Sequence, residues 1–125
     1  MYANIAAMVC TQLIGAIIYQ PNVLGTTYYK ALKLKHREPS IFEWILVTLS
    51  AYLEMTSIAY SLELMTPSSL FSALSNSIYL FLLFIVPTQA VHFPFDQRSY
   101  TVLWIYLLHH GLVYVTNTCI LYTWQ

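Results

Sequence analysis

Four apolar stretches divide this chain, and each is close to the length that crosses a bilayer as a helix. They lie at about residues 2–19, 42–64, 67–86 and 100–124. A hydrocarbon core of roughly 30 Å needs about 20 helical residues. Lipid offers no water to a backbone, so only helices or closed barrels satisfy its N–H and C=O groups. These runs are continuously apolar and lack the alternation of a barrel strand. The expected fold is all-α: an integral membrane four-helix bundle over residues 1–125, with a short interfacial helix in the first loop. Composition removes the other classes. Charged residues make up 8% of the chain, against about 25% in a soluble domain. Disorder needs low hydrophobicity and high charge, whereas 58% of these residues are hydrophobic. Net charge is zero, so no basic stripe calls for a nucleic acid.

The boundaries carry helix-start chemistry. Ser40 and Glu43 have the Ser-x-x-Glu spacing of a capping box for the second span. Thr66 and Pro67 read as the N-cap and first residue of the third. Pro87 is expected to end that span, and Asp96 to cap the fourth. The tight turn after Leu64 makes the second and third spans an antiparallel hairpin. Residues 26–36 read as the interfacial helix. No basic n-region precedes the first run and no small-x-small site follows it, so it reads as a retained helix rather than a signal peptide.

Orientation follows from the cations. Lys30, Lys33, Lys35 and Arg37 lie in the first loop and Arg98 in the third, so all five fall on one side. The positive-inside rule puts loops 20–41 and 87–99 at the cytoplasm, or at the matrix for a mitochondrial inner membrane. Both termini then lie opposite. The same five side chains suit anionic headgroups, at roughly 1 kcal/mol each near the surface.

Small and polar residues join helices in lipid. Gly15, Ser50, Ser57, Ser72 and Asn117 are the expected packing positions. Glu54 stands apart, because a mid-span carboxylate costs about 2.5–3.5 kcal/mol on insertion scales. At ~1.5 Å per residue it lies ~18 Å from the basic side, His109 and His110 ~14–15 Å, Asn76 ~15 Å and Gln12 ~10 Å. These five residues form an expected intramembrane polar layer, with a Glu–His pair at its centre. Three readings apply to it: a satisfied structural network, a face toward a partner subunit or lipid, and a proton or ion path.

No constellation supports catalysis. There is no serine-nucleophile motif, phosphate loop or zinc helix. His109 and His110 are adjacent and point ~100° apart on a helix, so they do not share a metal simply. His36, His92 and Asp96 fit no standard metal site. Cys10 and Cys119 lie at different depths, too far apart for a disulfide. The expectation is no catalytic residue, no metal and no cofactor.

The first helix exit runs Gly15-Ala16-Ile17-Ile18-Tyr19-Gln20-Pro21-Asn22-Val23-Leu24-Gly25. It resembles the G-x-x-W-Y-x-P-x-x-x-G signature of the uncharacterised domain-of-unknown-function family 1761, which are small membrane proteins of about four spans. Gly15, Tyr19, Pro21 and Gly25 match. Ile18 replaces the family's Trp, and Tyr28 or Tyr29 stands for the aromatic after the last glycine. The loop from His92 to Arg98 resembles the family's connection before its last helix, and His109-His110-Gly111 resembles its histidine-containing final span. The resemblance implies a four-span fold and no established activity. Physically, Pro21 ends the first helix and Gly25 permits a tight reversal.

The functional expectation is a non-catalytic accessory or assembly subunit of a larger membrane complex, with the bilayer and other membrane subunits as partners. The alternative is a small transporter or proton-conducting protein using the Glu/His layer.

Overall fold

A computed structural model describes residues 2–33, 40–95 and 99–124, with no account of the side chains of residues 92–95. The described residues are helical, with no strand among them. The helices are α1 (Tyr2–Ile18), α2 (Thr26–Ala31), α3 (Ile41–Met65), α4 (Leu70–Leu80), α5 (Val86–Phe95) and α6 (Tyr100–Thr123). Wide π turns over Pro21–Gly25 and Phe81–Ile85 lead into α2 and join α4 to α5.

By length and composition, α3 and the stretch Leu70–Val91 qualify as candidate membrane spans. The pair α1–α2, bent by 46°, makes a third if taken as one broken span. The helix α6 has 24 residues, but His109, His110 and Asn117 dilute its apolar character.

Local chemistry sets most ends. The Ser40–Glu43 capping box is present, with the Glu43 N–H donating to Ser40 Oγ at 3.3 Å and the Ser40 N–H to Glu43 Oε2 at 2.8 Å. The third helix starts later than expected. Thr66 is the C-cap of α3, left-handed at φ 40° and ψ 58°. Ser69 caps α4 instead, accepting the Ser72 N–H at 3.1 Å. Ser69 is free to take the extended N-cap geometry because α3 runs on to Met65 and leaves a short turn.

Pro87 does not end the third span either. The helix passes through it, because the π turn ends at Ile85 and puts Pro87 in the first turn of α5. A wider turn relieves the ring clash and the missing donor. The Thr88 hydroxyl donates to the Phe84 carbonyl within the same stretch. Ser99 occupies the N-cap position of α6. Asp96, the expected cap, lies outside the described residues.

The interfacial helix is shorter than residues 26–36. It ends at Ala31, and Lys33 follows in a left-handed conformation at φ 57°. The expectation over His36 and Arg37 lies outside the described residues.

The interior is built around α6, which packs on α1, α4, α3 and α2. The sequence-adjacent pair α3 and α4 touches only sparsely. Ala7 and Ala73, both fully buried, let backbones approach closely. Met55, Ile58 and Leu62 of α3 and Tyr114 and Leu121 of α6 complete the core. Two interhelical bonds cross it. Asn117 Nδ2 donates to Thr11 Oγ1 at 2.9 Å, joining α6 to α1. The Thr118 hydroxyl donates to Ser77 Oγ at 2.6 Å, joining α6 to α4.

Candidate polar site

Glu54 sits at the edge of the buried stripe of α3, three residues after Ala51 and one before Met55. From there its carboxylate reaches α6, and His110 Nδ1 stands 2.9 Å from Glu54 Oε1. The Glu54 side chain is 16% exposed and that of His110 25%, so both are largely removed from the surface.

His109 stacks on His110, with ring centroids 5.1 Å apart and planes inclined by 26°. Adjacent helical residues point about 100° apart at Cβ, and side-chain torsion brings the rings face to face. His109 turns toward α1. Its Nδ1 lies 3.5 Å from the Tyr19 hydroxyl, at the long end of hydrogen-bond reach. A Cβ on Gly15 would stand 3.5 Å from His109 Nε2, an ordinary contact. Gly15 therefore faces this ring, although alanine would also fit.

A tyrosine cluster continues the line. Tyr19 and Tyr28 meet edge to face with centroids 4.8 Å apart. The Tyr28 and Tyr106 hydroxyls are 2.7 Å apart, joining α2 to α6. The π turn makes this docking. It folds the chain back after Pro21 and places Gly25 so tightly that a Cβ would lie 2.1 Å from the Tyr19 carbonyl oxygen. Gly25 is needed for this close approach rather than for backbone freedom, since its φ is −60°. The tyrosine cluster was not part of the expected layer. The available signal was the number of tyrosines, eleven in all, with three in the first loop and its approach.

The other layer residues divide. Gln12 lies on α1 one turn before Gly15, and its Nε2 is buried with no hydrogen-bond partner among the described residues. His109 Nε2 and Asn117 Oδ1 are in the same condition. Asn76 does not join Glu54. It lines a cleft between α3 and α4 with Ser61, Leu62 and Ser77. Its depth was close to that of Glu54, but its direction on α4 is different.

The packing positions divide too. Asn117 is fully buried and bonded to Thr11, and Ser72 is half-buried beside its cap. Ser50 and Ser57 are exposed, which corrects their assignment as packing residues within the chain. The inward stripe of α3 is Ala51, Met55, Ile58 and Leu62, about one residue round from the serine stripe. Ser57 donates its hydroxyl to the Leu53 carbonyl at 2.9 Å and lines a groove of about 260 Å³ with Ser61, Leu80, Phe84 and Tyr114.

Of the cations, Lys30 and Lys33 are exposed on and just after α2. Lys35, Arg37 and Arg98 lie outside the described residues. Cys10 and Cys119 are both free thiols. Among the described residues no three His, Cys, Asp or Glu side chains converge as a metal site would require.

No curated protein and no solved structure matches the chain. A family match spans residues 2–122, covering every described helix except the last residue of α6. The chain therefore belongs to the family described as "Protein of unknown function (DUF1761)".

Proposed function

We propose that this chain is an integral membrane protein whose long helical segments form a four-helix bundle in the bilayer, serving as a non-catalytic accessory or assembly subunit of a larger membrane complex. One observation carries the reading: the packing stripe of α3 outruns its partners. The buried residues Ala51, Met55, Ile58 and Leu62 continue backward, at helical spacing, to Trp44 and Val47. Those two are 50% and 51% exposed. Phe42, Ile45, Leu46 and Leu49 are exposed as well, so the described residues leave most of this half of α3 uncovered. Lipid covers the outward faces, and a neighbouring helix seated on Trp44 and Val47 would extend the dry seam. Lys30 and Lys33, in the loop that precedes α3 in sequence, favour placing that loop on the cytoplasmic or matrix side, against anionic headgroups.

Gentle detergent extraction followed by native sizing tests the reading. The chain is expected to migrate in a larger particle. Trp44→Ala with Val47→Ser should release it with helix content unchanged. A parent chain that migrates alone would overturn the subunit reading.

A second reading, proton conduction, is favoured by the contact between Glu54 and His110 at 2.9 Å. Carboxylate and imidazole groups held together inside a membrane are the usual parts of a proton relay. Proton flux through vesicles carrying the parent chain and Glu54→Gln tests it.

A further inference from the structure

We infer that Glu54 is the meeting point of two half-paths for a proton: a histidine–tyrosine file leading to α2, and a serine-lined groove leading toward the α3–α4 turn. The inference rests on the proton-conducting reading above and adds the route.

The first half-path is a sequence of polar groups with few gaps. Glu54 touches His110 at 2.9 Å. His110 stacks on His109, which faces the Tyr19 hydroxyl at 3.5 Å. Tyr19 packs on Tyr28, and Tyr28 shares a 2.7 Å hydrogen bond with Tyr106. Tyr28 and Tyr106 belong to α2 and the first two turns of α6, the end of the molecule that bears Lys30. The file therefore runs from mid-helix to one end of the bundle.

The second half-path starts one turn away. Ser57 follows Glu54 by three residues and Ser61 by seven, so all three share a flank of α3. Ser57 and Ser61 line the groove of about 260 Å³ between α3 and the α4 side of the bundle. The cleft below it, reaching Met65 and Asn76, shares Ile58, Ser61 and Leu80 with that groove. The two spaces share these walls, and the cleft, at about 10 Å³, has room for about one water between the groove and the turn at residues 66–69. Ser57 and Ser61 donate to carbonyls of their own helix, at 2.9 and 2.7 Å. Their oxygens still accept hydrogen bonds from water.

The proton balance is simple and nothing is oxidised or reduced. A hydronium ion at the Glu54 end of the groove gives a proton to the carboxylate and is left as neutral water; its O–H bond breaks as the carboxyl O–H forms. The carboxyl passes the proton to His110 Nδ1, keeping the bonding electron pair. Stacked rings do not hydrogen-bond to each other, so a water molecule carries the proton from His110 to His109. His109 Nε2 is buried and has no partner among the described residues, as a site for that water requires. Gln12 Nε2, in the same condition, belongs to α1 one turn before Gly15, the residue that faces His109 Nε2. His109 Nδ1 then gives a proton to the Tyr19 oxygen while the Tyr19 O–H releases its own toward the Tyr28–Tyr106 pair. One proton enters and one leaves.

The test uses the full chain reconstituted in phosphatidylcholine vesicles with an internal pH-sensitive dye, an imposed pH gradient, and potassium with valinomycin to clamp the potential. The parent is expected to collapse the gradient faster than protein-free vesicles. Tyr19→Phe should remove the file's phenolic proton while keeping its ring packing, and Ser61→Leu should block the groove. Each should slow the flux by about a hundredfold, the low end of what a positioned proton-transfer group contributes. Tyr52→Phe, on the exposed face of α3, should leave it unchanged. Flux at the parent rate in both Tyr19→Phe and Ser61→Leu, with Glu54→Gln inactive, would overturn this route and keep proton conduction. A parent no faster than protein-free vesicles would overturn both.

Discussion

His110 Nδ1 lies 2.9 Å from Glu54 Oε1, tying the middle of α6 to the middle of α3. This contact gives a largely buried carboxylate a hydrogen-bonding partner. Removing one member leaves the other buried without compensation, whereas removing both leaves two small losses of packing. A double-mutant cycle of Glu54→Gln and His110→Gln separates these cases. Thermal unfolding in mild detergent should give a coupling of about 0.5–1.5 kcal/mol, within the range measured for polar pairs between membrane helices. Additive single effects would mean that the pair contributes nothing to holding α3 on α6.

The two buried amide and hydroxyl bonds of α6 are not equal. Thr118 is fully buried and donates to Ser77 at 2.6 Å, so Thr118→Val deletes a bond while keeping the shape. A loss of about 1 kcal/mol is expected. Asn117 donates to Thr11 at 2.9 Å, but its Oδ1 has no partner among the described residues. Asn117→Leu removes one bond and one unsatisfied acceptor together, and the two changes oppose each other. It should therefore cost less than Thr118→Val under the same unfolding assay. The reverse order would indicate that a water or a partner group satisfies the Asn117 oxygen.

Sequence reading put Glu54 near the depth of both His109 and His110, because a rise of about 1.5 Å per residue converts position into depth; the histidine that Glu54 meets is His110. The same arithmetic placed Asn76 at that depth, yet Asn76 lies in the α3–α4 cleft. Depth is a property of one helix; direction depends on which helices are neighbours and where each begins. The start of α4 at Leu70 rather than Pro67 is a register change of almost one turn. The serine stripe of α3 was misassigned for a related reason. Ser50 and Ser57 share a face, but periodicity does not say that this face looks out. The capping box at Ser40 was legible because all its partners lie within four residues. The tyrosine file was not, since Tyr28 and Tyr106 are 78 residues apart and meet only through the π turn.

That π turn depends on Gly25. A Cβ there would lie 2.1 Å from the Tyr19 carbonyl oxygen and 2.8 Å from Gln20 backbone atoms, which have little freedom to yield. Gly25→Ala should cost about 1–3 kcal/mol, as overpacking does elsewhere. The effect should be local. Losing the turn undocks α2, breaks the Tyr28–Tyr106 bond and loosens the backbone around the exposed Lys30 and Lys33, which trypsin must unfold locally to cut. Faster cleavage at these lysines in Gly25→Ala is the expected readout. Gly15→Ala, whose Cβ would meet only His109 at 3.5 Å, should cleave at the parent rate.

Thr66 offers a gain instead. It closes α3 in the left-handed region at φ 40°, with its N–H on the Leu62 carbonyl at 3.0 Å. A left-handed conformation costs an L-residue roughly 1–2 kcal/mol, and glycine adopts it freely. Glycine also loses more backbone entropy on folding, which offsets part of the benefit. Thr66 is exposed and its side chain makes no hydrogen bond among the described residues, so little else is lost on substitution. Thr66→Gly should therefore raise stability by about 0.5–1 kcal/mol. Thr66→Asn, which tolerates the same region, should gain less. Thr66→Val keeps the branched side chain and should gain nothing. Unfolding of the three variants in one detergent gives the order, and a Thr66→Gly chain less stable than the parent would show that the α3–α4 turn is held by contacts of the threonine itself.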